Sequence, residues 1–234
     1  MARNNSRRYE EARERVDVQR YYPLDEALDL VKETATADFD ETVDCAIKLG
    51  VAAGRGDENV RGTVVLPHGT GKVPRVAVFA EGEAVREAEA AGADRVGDED
   101  LVEDIRNGWD EFDVLVAQPQ MMRIVGPLGK QLGPRMPSKK AGNITEDVGS
   151  AVESLKAGKV EFKMDRGAVL HVPLGLASFD KEQLRENFET LIEAVVAARP
   201  ASFSGRYIKS ITLSATMGPG VKVLVSDVVS RRAA

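Results

Sequence analysis

Apolar and polar residues alternate most clearly between Ser210 and Met217, Ser-Ile-Thr-Leu-Ser-Ala-Thr-Met. A strand points successive side chains to opposite faces, so Ser210, Thr212, Ser214 and Thr216 share one face and Ile211, Leu213, Ala215 and Met217 the other. The apolar face packs on a core. The hydroxyl face is small, uncharged and rich in donors and acceptors, which suits either the solvated edge of an ordinary sheet or a surface laid flat on ribose and phosphate. Met217-Gly218-Pro219-Gly220 then breaks the alternation. Glycines without a Cβ let a partner approach this turn closely, and an exposed Met is more than a hairpin needs.

The rest of the chain reads in the same terms. Residues 1–22 set Arg3, Arg7, Arg8, Arg13, Arg15 and Arg20 among acids and form a frayed or helical arm, suited to RNA contact or to plain solvation. Pro23 opens a helix over 24–34 with Leu24, Ala27, Leu28 and Val31 on one stripe. In the polar connection 35–41, Phe39 is the one large apolar residue, either a plug into the core or an exposed stacking contact. Strands over 42–50 and 62–66 flank a polar loop containing Gly54, Arg55 and Gly56. The break at Pro67-His68-Gly69-Thr70-Gly71-Lys72 marks a domain crossing.

From there strands and helices alternate: strand 75–80, helix 83–91, strand 95–96, helix 100–108, strand 113–117. That rhythm predicts a parallel, doubly wound sheet. The Gly- and Pro-rich run from Gly126 to Gly142 reads as a loop, either solvated or bound to a nucleic-acid backbone. A helix over 145–157 leads to strands 159–163 and 168–172, joined through Met164-Asp165-Arg166-Gly167. The longest helix, 180–198, is capped by Asp180 and stopped by Pro200, with Leu184, Phe188, Leu191, Ile192, Val195 and Val196 as its apolar positions. Strands 207–216 and 221–225 close the chain. Strands from the two chain ends can pair into one domain with 69–157 inserted into it.

Charge changes this picture. The net charge of −6 argues against a polyanion partner at first sight. Its distribution does not: residues 1–68 carry ten bases and fourteen acids, 69–157 eleven and sixteen, 158–234 eleven and eight. No acid occurs from Ala194 to Ser226, where Arg199, Arg206, Lys209 and Lys222 lie beside the hydroxyl strand. A locally basic surface on an acidic chain still gains affinity by counterion release. In the middle of the chain, residues 81–113 hold thirteen acids and three bases, whereas 114–145 hold Arg123, Lys130, Arg135, Lys139 and Lys140 and no acid. One side of that domain is therefore expected to be acidic and another basic.

Several chemistries are not assembled. Gly69-Thr70-Gly71-Lys72 is followed by Val73 and preceded by Leu66 where a phosphate loop needs its first glycine; Gly126-Pro127-Leu128-Gly129-Lys130 is followed by Gln131, with Ile124 at the corresponding place. Gly92-Ala93-Asp94 is no dinucleotide fingerprint. His68 and His171 are far apart and read as hydrogen-bonded structural residues, and with the single Cys45 they make no zinc cluster. Cys45, in a strand-like run, reads as a buried thiol in a reducing compartment. No catalytic residues, metal or cofactor are expected, no apolar run approaches the roughly 20 residues that cross a membrane, and the Arg-rich start lacks the apolar core of an export signal.

Six stretches, in order along nearly the whole chain, resemble the L-one family of ribosomal proteins: Phe39-Asp-Glu-Thr-Val43, Val60-Arg-Gly-Thr-Val-Val-Leu-Pro-His-Gly69, Ala88-Glu-Ala-Ala-Gly-Ala-Asp94, Leu132-Gly-Pro-Arg135, Lys156-Ala-Gly-Lys-Val-Glu-Phe162 and Thr216-Met-Gly-Pro219. The long N-terminal arm resembles the bacterial branch. The resemblance implies an α/β fold of two domains: a split α+β sandwich, residues 1–68 and 158–234, that binds RNA, and an inserted Rossmann-like three-layer α/β/α domain, residues 69–157. It implies a non-enzymatic cytoplasmic protein of the large ribosomal subunit, monomeric when free, bound to large-subunit ribosomal RNA at the mobile stalk. It also implies help in releasing deacylated tRNA from the exit site and, as in many members, binding to its own messenger RNA to repress translation. The family's principal RNA contacts carry over to Phe39, Glu41, Ser210, Thr216, Met217 and Gly218, with Thr212, Ser214 and Pro219 on the same face and turn. Lys163, Asp165 and His171 on the neighbouring hairpin are secondary candidates. Two departures stand out: Met136-Pro137 follows Leu132-Gly-Pro-Arg135 at once, which shortens the tip of that loop, and Met164 stands where relatives often carry a polar residue.

Two rival readings remain: an enzyme using a cleft between its two domains, and a structural scaffold with no RNA preference. A thermal-shift titration with purine nucleotides separates out the first. The expected result is an unchanged Tm; a nucleotide that raises it supports an enzyme.

Overall fold

The computed structural model describes residues 6–51, 59–139 and 141–226, so Arg3, the Gly54-Arg55-Gly56 loop and Lys140 lie outside the described residues. Along the chain run α1 (Arg7–Glu14), α2 (Leu24–Thr34), β1 (Thr42–Leu49), β2 (Arg61–Val65), β3 (Val76–Phe79), α3 (Glu83–Ala90), β4 (Arg95–Gly97), α4 (Glu99–Arg106), β5 (Val114–Ala117), the short helices α5 (Met122–Val125) and α6 (Gly129–Leu132), α7 (Val148–Lys156), β6 (Lys159–Lys163), β7 (Val169–Leu176), α8 (Lys181–Ala197), β8 (Ile208–Ala215) and β9 (Val221–Val223). The fold is α/β. It divides into two compact units, one made of Met1–Gly71 with Val160–Ala234 and the other of Lys72–Lys159.

In the first unit, β7, β1, β8 and β9 form an antiparallel sheet in that order, and β2 pairs with β6. Alternation decides what each face does. Val43, Cys45, Ile47 and Leu49 of β1, Leu170, Val172 and Leu174 of β7, and Ile211, Leu213 and Ala215 of β8 are buried in one core. Helices α2 and α8 cover that face with Leu28, Val31, Leu184, Phe188 and Leu191. Burial pushes the Cys45 thiol well above its ordinary range, so it stays protonated inside this core. Asp180 and Gln183 start α8 with a reciprocal capping box, the Asp180 N–H donating to Gln183 Oε1 at 3.0 Å. Val196, expected on the helix's apolar stripe, is 41 % exposed.

In the second unit three parallel strands run in the order β4-β3-β5. Ala77, Phe79, Leu115 and Ala117 face α4 and the segment from Met121 to Leu132, while Val76, Val78 and Val116 face α3 and α7. The sheet is thus covered on both sides, as parallel sheets require. The run from Gly126, expected to be an open loop, is folded through Arg135: successive helical turns bury Val125, Leu128 and Leu132 against the sheet. Glycine and proline punctuate these turns without opening them, because each turn is only three or four residues long. Helix α7 starts three residues later than the sequence suggests, where the Asp147 carboxylate accepts the Ser150 N–H at 3.0 Å.

Asn187 is the one fully buried amide of α8. Its Oδ1 accepts the His68 N–H at 3.0 Å, and its Nδ2 donates to the carbonyls of Gly69 at 2.9 Å and Leu174 at 2.7 Å. It therefore satisfies two backbone groups where the chain leaves β2 and one in β7. Asn187→Ala leaves those groups unpaired in the interior and is expected to lower stability by about 2–4 kcal/mol in urea unfolding, with the midpoint shifted at unchanged m.

Candidate nucleic-acid interface

The open face of the four-stranded sheet is built by register. Thr212 sits opposite Ala46, which sits opposite His171 on the other side. Ser214 pairs with Asp44 and Ser210 with Lys48, and Lys222 lies opposite Thr212 on β9. Directly opposed residues share a face. The hydroxyl row of β8 is thus flanked by Asp44, Lys48, His171 and Lys222. Its own residues are uncharged, as the alternation implies, but the surface around them is not. The parity of Thr42, Asp44, Ala46 and Lys48 held that information; only the pairing of distant strands turns it into a neighbourhood.

At the end of β8 the organising group is Glu41. Its side chain is only 1 % exposed. Oε1 accepts the Ala37 N–H at 2.8 Å and Oε2 accepts the Met217 N–H at 2.8 Å. Glu41, which the resemblance makes an RNA contact, is buried here with both oxygens engaged, and it fixes two backbone segments from beneath. Thr216 Oγ1 accepts the Thr42 N–H at 3.0 Å and lies 3.2 Å from the Thr42 carbonyl, to which it donates, extending the β1–β8 pairing by one residue. Above this frame Phe39 and Met217 are exposed, 55 % and 48 %. Phe39 is therefore a displayed ring and not a core plug.

Of the turn's glycines, Gly220 serves the fold. A Cβ at Gly218 would lie 3.3 Å from the Ala215 Cβ and 3.5 Å from the Thr34 carbonyl oxygen, and one at Gly220 would lie 2.9 Å from Thr212 Cγ2. A side chain at Gly220 would overlap Thr212, so the fold itself calls for that glycine, whereas at Gly218 the nearest atoms lie at tight to ordinary contact distance. Pro219 is buried. Arg8 of α1 completes the rim, donating to Thr36 Oγ1 at 3.1 Å and to the Met217 carbonyl at 3.5 Å. The arginine-rich arm offered Arg8 only as one of six; its contact depends on where α1 lies.

The secondary candidates divide. Asp165 Oδ1 accepts the Val169 N–H at 2.8 Å, and its Oδ2 lies 3.8 Å from His171 Nε2. The Val169 N–H, with help from the Gly167 N–H, His171 and Lys48, holds the Asp165 carboxyl below its usual range against some desolvation. Lys48 Nζ donates to the Gly167 carbonyl and draws the same turn toward the sheet. Asp165 and His171 thus belong with the open face. Lys163 is exposed on β6, in the other sheet, and among the described residues no hydrogen bond or ion pair ties it to that face. His68 lies elsewhere, with Nε2 2.6 Å from Glu186 Oε2. Among the described residues no three His, Cys, Asp or Glu side chains are placed to hold a metal ion, and no helix is long and apolar enough to cross a membrane.

The whole arrangement presents hydroxyls, two apolar side chains and flanking cations on a rigid frame. This suits recognition of a folded ribose-phosphate surface, where position counts for more than charge. Glu41→Gln puts an N–H₂ against one of two backbone donors. It is expected to cost about 1.5–3 kcal/mol of stability and to weaken RNA binding at least tenfold in a fluorescence-anisotropy titration, although the residue is only 1 % exposed. Residues 31–219 match the sequence profile described as the Ribosomal protein L1p/L10e family.

Proposed function

Since the chain belongs to the ribosomal protein L1p/L10e family, we propose that the open face of its discontinuous unit, from Ser210 to the Thr216–Gly218 turn with Phe39 beside it, is the surface that holds large-subunit RNA at the mobile stalk. As a member of that family the chain is a structural constituent of the large ribosomal subunit that binds ribosomal RNA, and the family is not one of enzymes. The observation that carries the placement of the site is the Glu41 carboxylate, which bonds the backbone on both sides of the displayed Phe39 and Met217. A buried acid spent in this way fixes a surface before any ligand arrives, and preorganisation reduces the ordering cost of binding.

The fuller reading is that this is a cytoplasmic protein of the bacterial branch, monomeric when free. It assists release of deacylated tRNA from the exit site and represses translation of its own messenger RNA by binding a structure like the ribosomal one. These parts rest on the family resemblance. In this reading Ser210, Thr212, Ser214 and Thr216 meet ribose hydroxyls and phosphates, Phe39, Met217 and Gly218 meet the RNA at the turn, and Asp165 and His171 meet it at the edge formed by β7. Lys163 contributes only long-range attraction.

Affinity for a stalk RNA fragment against an unrelated hairpin, over a salt series, tests this. Two lysines on the open face predict a slope of log K against log salt of about −2, with selective binding retained at high salt. Thr216→Val removes the hydroxyl that meets the Thr42 backbone at an exposed edge, where water replaces it, so the expected stability loss is about 1 kcal/mol, against a tenfold loss of stalk-RNA affinity. Weak, unselective binding with a steep slope, or unchanged affinity in folded Thr216→Val, overturns the assignment.

A further inference from the structure

A pocket of about 400 Å³ opens at the amino-terminal end of β8, lined by Val196, Arg199, Arg206, Tyr207, Ile208, Val225 and Ser226. It is not part of the surface described above. The turn at Thr216 lies eight residues further along the chain, roughly 25 Å at strand rise.

Most of the wall is apolar, from Val196, Tyr207, Ile208 and Val225. Val196 is 41 % exposed there although it continues the apolar stripe of α8. The loop that carries Arg206 and Tyr207 is pinned by Gly50: its N–H donates to the Tyr207 carbonyl at 2.7 Å, and a Cβ at that position would lie 2.2 Å from the Arg206 carbonyl oxygen. Tyr207 is 7 % exposed, and its buried hydroxyl has no hydrogen-bond partner among the described residues. Burial pushes that phenol up to about 12, partly opposed by Arg199, so it remains a donor at neutral pH.

The mouth is cationic. Arg199 lies 5.6 Å from the ring centre of Phe203 and 6.0 Å from that of Tyr207, and donates one N–H to the Phe203 carbonyl. Arg206 Nε donates to the Ile208 carbonyl. Neither has a carboxylate partner among the described residues, and the sequence places no acid between Ala194 and Ser226. A guanidinium has five N–H donors, and among the described residues each of these arginines spends one, on a backbone carbonyl. An aromatic, apolar recess with two guanidiniums at its mouth, neither paired with a carboxylate among the described residues, fits a flat ring that carries an anion. Arginine planes and aromatic rings are the platforms on which unpaired bases stack. The same strand leads through the exposed Lys209 directly to Ser210, the first residue of the hydroxyl row.

We propose that this pocket receives one unpaired nucleotide of a bound RNA, with its base in the recess against Tyr207 and its phosphate on Arg199 and Arg206. The assignment rests on the reading of β8 as an RNA-facing strand and extends the footprint along it to its other end.

The test uses the full chain and a hexauridylate carrying a central 4-thiouridine, photo-crosslinked and mapped by mass spectrometry, with anisotropy for affinity. The expected crosslink falls in the peptide containing Phe203 and Tyr207. Val196→Glu, a carboxylate added at an exposed wall position, is expected to abolish it and to weaken the oligonucleotide at least tenfold with Tm unchanged. Arg206→Gln serves as the second variant if Val196→Glu does not fold. Crosslinks confined to other peptides, or unchanged affinity in a folded variant, overturn the proposal. So does binding of anilinonaphthalene sulfonate in the pocket that hexauridylate cannot displace, which would assign it to an apolar anion or an acidic protein segment. Stalk-RNA affinity measured in parallel separates the two readings: intact stalk binding without the crosslink overturns the pocket alone, whereas loss of both overturns the surface it extends.

Discussion

Glu41 is taken out of water with two backbone N–H groups as its partners, and the candidate surface is arranged around that constraint. An unpaired buried carboxylate costs several kcal/mol, so the site exists only while the 35–41 connection and the Thr216–Met217 turn both keep their places. The coupling runs in both directions. The turn supplies the acid with a buried hydrogen-bond donor, and the acid holds the turn that displays Met217. Thr216 repeats the device on a smaller scale, with one hydroxyl serving as both donor and acceptor to the Thr42 backbone. Two short polar side chains thereby replace the regular pairing that β1 and β8 would otherwise lose at their ends.

The second constraint is the central position of β1. Paired with β7 on one side and β8 on the other, it carries a core face of Val43, Cys45, Ile47 and Leu49 and an open face of Asp44, Ala46 and Lys48. A slip of one residue would exchange the two faces. The buried apolar row therefore fixes the polar surface along with the core, and this places Lys48 beside Ser210, and His171 and Lys222 in line with Thr212.

What could be read from the chain follows from how local each signal is. The stripe of α2, the capped start of α8 and the alternation of β8 are properties of ten or fewer consecutive residues, and they were legible. The hydroxyl row belongs to this class. Lys222, ten residues from Thr212, is legible too, but Asp44, Lys48 and His171 are not, because register reaches them through β1, more than a hundred positions away. Glu41 shows the limit from the other side: a Glu in a polar connection looks solvated, and only the chain returning at Met217 supplies the donor that buries it. The run from Gly126 to Gly142 reads as a loop because glycine and proline mark each short turn, yet it is helical as far as Arg135, where the apolar spacing of Val125, Leu128 and Leu132 that buries them is a helical one. Val196 failed in the opposite sense: the stripe of α8 continues to it, but the core does not.

An acidic protein that binds a polyanion needs its charges sorted more than it needs a positive sum. Here the sorting is by face and by segment. The acids of 81–113 belong to the Lys72–Lys159 unit, and the acid-free span from Ala194 to Ser226 lies wholly in the other. Within a Debye length of about 8 Å at physiological salt, a ligand on the hydroxyl row of β8 meets Lys48, Lys222 and Asp44 more strongly than the net charge of the chain. Close in, the burden passes to groups that salt does not screen. Hydroxyls on a strand whose register is locked by its core, and a turn held by a buried carboxylate, discriminate by position. A mismatched RNA leaves their hydrogen bonds unmade, at a cost that added lysines could not reproduce, because a flexible ammonium follows a phosphate wherever it lies.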